Sequence, residues 1–196
     1  MKKAIICHGV SIGFDSVRRN DLPSCSHHFL AWLQQRYIVA GVSCQNPSFP
    51  NSWIPDRNYH DDANVFSRLE LDEDTRLVGH SCGAGFLLKY LAQHPKIKVR
   101  HLVLVAPWLD PEGCLGDYYR DFELDERLPQ RVGRMELFYS TNDIESVSRS
   151  VERIIKTYPA MIVHNCGAMG HFTEGDMGGQ EFLRLWEACR SEIGER

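Results

Sequence analysis

The sequence predicts an α/β fold, a mostly parallel sheet of about six strands with helices on both faces, and three observations predict it. Short apolar runs rich in β-branched residues recur along the chain, and stretches of helical period alternate with them. The 196 residues, 43% of them hydrophobic, contain no internal repeat and no low-complexity linker, which suits one domain over 1–196 with a core of its own.

The elements follow in order. Residues 4–7 form the first strand; the opening MKKAIICHGV reads as that strand and not as a signal peptide, because polar and glycine residues interrupt the apolar run. A helix is expected around 27–35, with His27 and His28 on its surface, and a second strand over 37–44. The segment 46–58 (NPSFPNSWIPDRN) carries three prolines and reads as a loop pinned by packing, followed by a helix around 60–69. Strands are expected at 75–78, 99–106, 135–139 and 161–165. Three helical stripes lie among and after them: Ala84, Leu87, Leu88 and Leu91; Val147, Val151, Ile154 and Ile155; and Phe182, Leu185, Trp186 and Cys189. The stretch 111–131 is irregular and acidic.

A formal charge of −4 and a pI near 6.1 supply no basic field for phosphates, so nucleic acid is not an expected partner. No run approaches the roughly 20 apolar residues that span a bilayer, so no membrane association is expected. The seven cysteines are scattered singly without a CxxC pair, which fits reduced thiols in a cytoplasmic protein. His164, Cys166 and His171 do not match a recurrent zinc spacing, and no metal is expected.

Chemistry concentrates in LVGHSCGAGF, residues 77–86. With a strand before it and a helix opening at Cys82, Ser81 stands at the sharp turn of a G-x-S-x-G elbow. Gly79 and Gly83 are small because that turn presses its flanks together. A serine hydroxyl needs a base, itself oriented by an acid. Asp143 in STND follows the fifth strand, at the end where open α/β sheets place their ligands, and His171 in NCGAMGHF follows the last. Asp143 could instead cap the helix after it, and Asp110 is a rival acid. The side chain of His80 should turn away from Ser81, and Cys82, one residue past the tip, reads as packing. The order Ser, Asp, His is that of α/β-hydrolases. Two backbone donors are expected for the oxyanion: the Cys82 N–H, and the Val10 N–H in the loop after the first strand, ICHGVS. Phe14, Trp53, Ile54, Trp108 and Tyr118 are candidates for the mouth.

The chain resembles the small serine hydrolases typified by retinoblastoma-binding protein nine, through HG after the first strand, NPSFPNSW, VGHSCG, LVLVAP, STND and CGAMGHF. The resemblance spans nearly the whole chain and implies Ser81 as nucleophile, Asp143 as acid and His171 as base, on a shortened α/β-hydrolase fold without a large lid domain. The chain departs from the family at Asp143-Ile144-Glu145, where relatives often carry proline, and in a first loop with no glycine beyond Gly9 and Gly13. The expected activity is hydrolysis of an ester, thioester or amide of a small acyl substrate through an acyl-serine, without a cofactor. The alternative is a scaffold that binds a protein partner with its triad silent.

Overall fold

The computed structural model describes residues 1–11 and 23–194. Six parallel strands, β1 (Lys3–Cys7), β2 (Ser43–Gln45), β3 (Thr75–His80), β4 (Val99–Val105), β5 (Val132–Tyr139) and β6 (Ile162–Asn165), lie in the order β2-β1-β3-β4-β5-β6. β3 and β4 are buried along nearly their whole length, which is why they read as unbroken apolar runs.

The step from β1 to β2 runs one way across the sheet and every later step runs the other. Right-handed crossovers therefore put α1 (Leu30–Val39) on one face and α2 (Tyr59–Phe66), α3 (Cys82–Gln93) and α4 (Glu145–Thr157) on the opposite one. Ring packing agrees. Tyr37 of α1 meets Trp186 of the last helix, α6 (Leu183–Ser191), with centroids 5.7 Å apart, whereas Phe66 of α2 meets Phe86 of α3 at 5.2 Å. A one-turn helix, α5 (Glu174–Met177), precedes α6.

The expected strand over 37–44 is corrected: Tyr37, Ile38 and Val39 are the last residues of α1, and only Ser43–Gln45 is strand. Leu30, Leu33 and Tyr37 are the buried stripe of α1, and Gly41, at φ 76°, follows its end. The helix expected from residue 27 begins instead at Leu30, and the one expected at 60–69 spans Tyr59–Phe66, capped by the Asn58 side chain accepting from Asp61 N–H. Trp108 and Tyr118, expected at the mouth, are 6% and 2% exposed and belong to the core. Phe14 and Gly13 lie outside the described residues.

The reversal of winding between β1 and β3 opens a crevice at their C-terminal ends, where such sheets receive ligands. The loop after β1 and the turn after β3 meet there.

Candidate active site

β3 ends at His80, and Ser81 takes φ 56°, ψ −124° before α3 begins. Such a backbone is strained for a residue with a Cβ and persists because its surroundings hold it. Ser81 N–H donates to Val105 O at 2.9 Å, while its carbonyl accepts from Ala84, Gly85 and Trp108 N–H at 3.0, 3.2 and 3.1 Å. The elbow glycines are small for the steric reason their spacing implies. A Cβ on Gly79 would lie 2.5 Å from Ala84 Cα, and one on Gly83 would run into the Cys7 carbonyl. The Ser81 side chain makes no capping bond to α3, so its hydroxyl is not consumed by the helix it precedes.

His171 is held on three sides. Its Nδ1 lies 2.9 and 3.0 Å from the two Asp143 carboxylate oxygens, its N–H donates to Asp176 Oδ2 at 2.9 Å, and its carbonyl accepts from His80 Nε2 at 2.9 Å. With Nδ1 donating to the carboxylate, Nε2 is left as the basic nitrogen. The Asp143 side chain is 2% exposed and the His171 ring 26%, so the carboxylate is shielded and the imidazole is reachable. Asn142 Oδ1 accepts from Gly170 N–H at 2.7 Å and ties the loop after β6 to the loop after β5. Asp143 does not cap α4: Ile144 occupies that position, and besides the His171 ring Asp143 Oδ1 accepts from the adjacent Ile144 N–H at 2.7 Å.

Ser81, His171, His80, His28, Val10 and Leu30 line one cleft of about 340 Å³. Among the described residues no hydrogen bond joins Ser81 to the His171 ring; the two share the cleft's wall. The Val10 and Cys82 N–H groups have no protein acceptor among the described residues. A larger groove of about 700 Å³, lined by Val39, Trp186 and Arg190 among others, contains neither the serine nor the histidine.

The remaining expectations sort by environment. Cys82 is fully buried and burial pushes its thiol up, so it packs. Asp110 is a turn former, accepting from Cys114 and Leu115 N–H at 2.7 and 2.8 Å. His164 stacks on Phe138 at 4.1 Å and bonds Glu136, and among the described residues no group of histidines, cysteines and acids could hold a metal. No described helix is long and apolar enough to cross a membrane.

Sequence reasoning missed His28. It is not on a helix surface: at φ 56° it turns into the cleft ahead of α1, its Nδ1 accepting from Glu174 N–H at 3.2 Å. Burial, with the neighbouring His27 and His171 charges, lowers its pKa to about 4. The tether from His80 to the His171 carbonyl was equally illegible, since the residues are 91 positions apart. Burial, then the His171 and His28 charges, keeps His80 well below the usual histidine range, so a neutral Nε2–H makes that bond.

No protein-family model matches the chain and no curated protein sequence matches it. Solved structures do. The ydeN gene product from B. subtilis superposes with a TM-score of 0.79 over 100% of both chains at 20% identity. Est1E from Butyrivibrio proteoclasticus, with ferulic acid bound, gives 0.65 over 97% of this chain and 87% of its own at 15% identity. A Xanthomonas campestris member of the α/β serine hydrolases without a lid gives 0.58 over 97% and 80% at 16% identity. At these identities the likeness is one of fold, and the chain has the α/β-hydrolase fold.

Proposed function

We propose that the chain is a serine hydrolase acting on an ester, thioester or amide of a small acyl substrate. One observation carries the reading: a strained serine and a carboxylate-held imidazole open onto the same cleft at the C-terminal rim of the sheet. In this mechanism His171 Nε2 takes the Ser81 proton as Oγ attacks the carbonyl carbon, and Asp143 holds the ring and offsets its positive charge. The Val10 and Cys82 N–H groups, which have no protein acceptor among the described residues, receive the oxyanion. His171 then gives its proton to the leaving group, an acyl-serine forms, and a water deprotonated by the same nitrogen releases the acid. The Ser81–His171 hydrogen bond is the contact that unliganded sites commonly complete with substrate in place. None of these steps calls for a metal or cofactor.

The motif resemblance favours the small serine hydrolases typified by retinoblastoma-binding protein nine. The shared fold with Est1E, which holds ferulic acid, is consistent with a small acyl group. Seven unpaired thiols, Cys114 exposed among them, suit a reducing compartment, and we place the protein in the cytoplasm.

The test is labelling with a fluorophosphonate, which requires an activated hydroxyl. Wild type is expected to label at Ser81 and to hydrolyse p-nitrophenyl acetate, and Ser81→Ala to do neither while melting as wild type does. A folded wild type that stays unlabelled refutes the reading and leaves a protein-binding scaffold.

A further inference from the structure

A buried guanidinium lies directly behind the loop that follows β1. Arg57 is 1% exposed, and its Nε donates to Asp62 Oδ2 at 2.7 Å, both side chains being closed to solvent. The same Asp62 oxygen accepts from the Tyr118 hydroxyl at 2.6 Å, which fixes the carboxylate from the 111–131 stretch as well. The pair is not arranged for stability alone. Arg57 Nη2 and Asp62 Oδ1 are buried without a protein partner among the described residues, a desolvation cost that apolar residues of similar volume would avoid.

What the guanidinium does reach is backbone. Arg57 Nη1 donates to the Gly9 carbonyl at 2.5 Å and lies 3.4 Å from that of His8. The His8 ring assists: its Nε2 accepts from Phe49 N–H at 2.9 Å, which leaves the proton on Nδ1, and Nδ1 lies 2.8 Å from Gly9 O. Both lone pairs of the Gly9 oxygen are thus engaged. In a trans peptide the C=O and N–H point to opposite sides, and the one cis bond among the described residues is Ile54–Pro55. A Gly9 carbonyl fixed toward Arg57 therefore turns the Val10 N–H away from it. Val10 lines the cleft, and the loop passes so close to the elbow that a Cβ on Gly9 would lie 3.0 Å from Ser81 Cβ.

We propose that Arg57 is a positioning residue for the oxyanion hole, locking the Gly9–Val10 peptide so that the Val10 N–H meets the oxyanion formed on the carbonyl that Ser81 attacks. The inference rests on the hydrolase reading above. It also accounts for the proline-rich loop, which carries a permanent cation to a carbonyl 48 residues earlier in the chain.

The double variant Arg57→Met/Asp62→Asn removes both charges and leaves an amide oxygen for Tyr118. Its kcat on p-nitrophenyl acetate and its rate of fluorophosphonate labelling are expected to fall about a hundredfold, the loss typical of one oxyanion donor, with KM within about twofold. Arg57→Lys keeps the charge without the fork, is expected to fall between the two, and serves if the double variant does not fold. A crystal structure reads the positioning without turnover, and the Gly9–Val10 peptide is expected to rotate in either variant. A folded variant with the wild-type rate, or with the wild-type peptide orientation, overturns the proposal. A wild type that neither labels nor turns over defeats the hydrolase reading instead, and the peptide orientation in the variants then decides the role of Arg57 by itself.

Discussion

Two histidine–carboxylate pairs of nearly equal length sit in this molecule, and they have opposite fates. His171 and Asp143 lie 2.9 Å apart on loops at the C-terminal rim; His101 and Glu136 lie 3.0 Å apart within β4 and β5. At the rim, the imidazole is reachable and its Nε2 has no protein partner among the described residues. Inside the sheet, both side chains are closed to solvent, and Glu136 also takes Arg134 Nε at 2.6 Å and His164 Nε2 at 2.5 Å. A proton held there has donors on every side and nowhere useful to go. The pairing is common to both; what differs is an open nitrogen on a cleft that a strained serine also lines.

The sharpest way to break that comparison is to neutralise one acid at a time. Asp143→Asn removes the charge that fixes the Nδ1–H tautomer, and kcat on p-nitrophenyl acetate is expected to fall about 10⁴-fold with little change in melting. Glu136→Gln is expected to leave kcat within about twofold. Equal losses in steady-state assays of the two variants would erase the distinction between the sites.

Stability should show the reverse ranking. Glu136 answers to three side-chain donors in a place water does not enter, so Glu136→Gln is expected to lower the unfolding free energy by roughly 3 kcal/mol, read from urea titration at neutral pH. Asp143→Asn keeps its contacts at the rim and is expected to cost under about 1 kcal/mol. A Glu136 variant as stable as wild type would mean that the interior cluster holds nothing together.

These two regions were not equally legible in the sequence. The elbow was, because its cause is local: Gly79 and Gly83 flank Ser81 within five residues, and the clash each avoids lies in the turn itself or against the strand beside it. Asp143 and His171 were legible through topology, since each follows a strand at the end where the sheet receives ligands. His101, Glu136 and His164 carry no spacing signal, because parallel neighbours in a sheet are brought together across a crossover of arbitrary length. Arg57 was hidden for the same reason, its partner carbonyl being on β1's loop. The run 37–44 misled because Tyr37, Ile38 and Val39 are β-formers by composition, while the burial of Leu30, Leu33 and Tyr37 on one face decides for helix. His28 was invisible because what draws it into the cleft is a bond to Glu174, 146 positions away.

Acid separates the two regions on a finer scale. Burial, reinforced by the Arg57 charge, holds His8 at about 3, and His28 sits at about 4, while His80 lies well below the usual range. The unfolded chain protonates these rings near 6.5. Between that pH and their folded values the unfolded state binds more protons, so stability falls as pH drops below about 6.5. Glu136 acts lower. Burial pushes its carboxyl up, but hydrogen bonds from His101, Arg134 and His164 outweigh burial and hold it at about 2 against an unfolded value of 4.5. Its contribution is therefore complete above about 4.5 and is lost as pH falls toward 2. Urea midpoints measured from pH 7 to pH 3 should descend in two overlapping stages. His28→Asn, which suits the φ of 56°, is expected to shallow the upper stage by up to about one proton's worth, and Glu136→Gln to shallow only the lower. If His28→Asn left the descent between pH 6.5 and 4 unchanged, the ring would already be charged in the folded cleft, and its Nδ1 would not be accepting from Glu174.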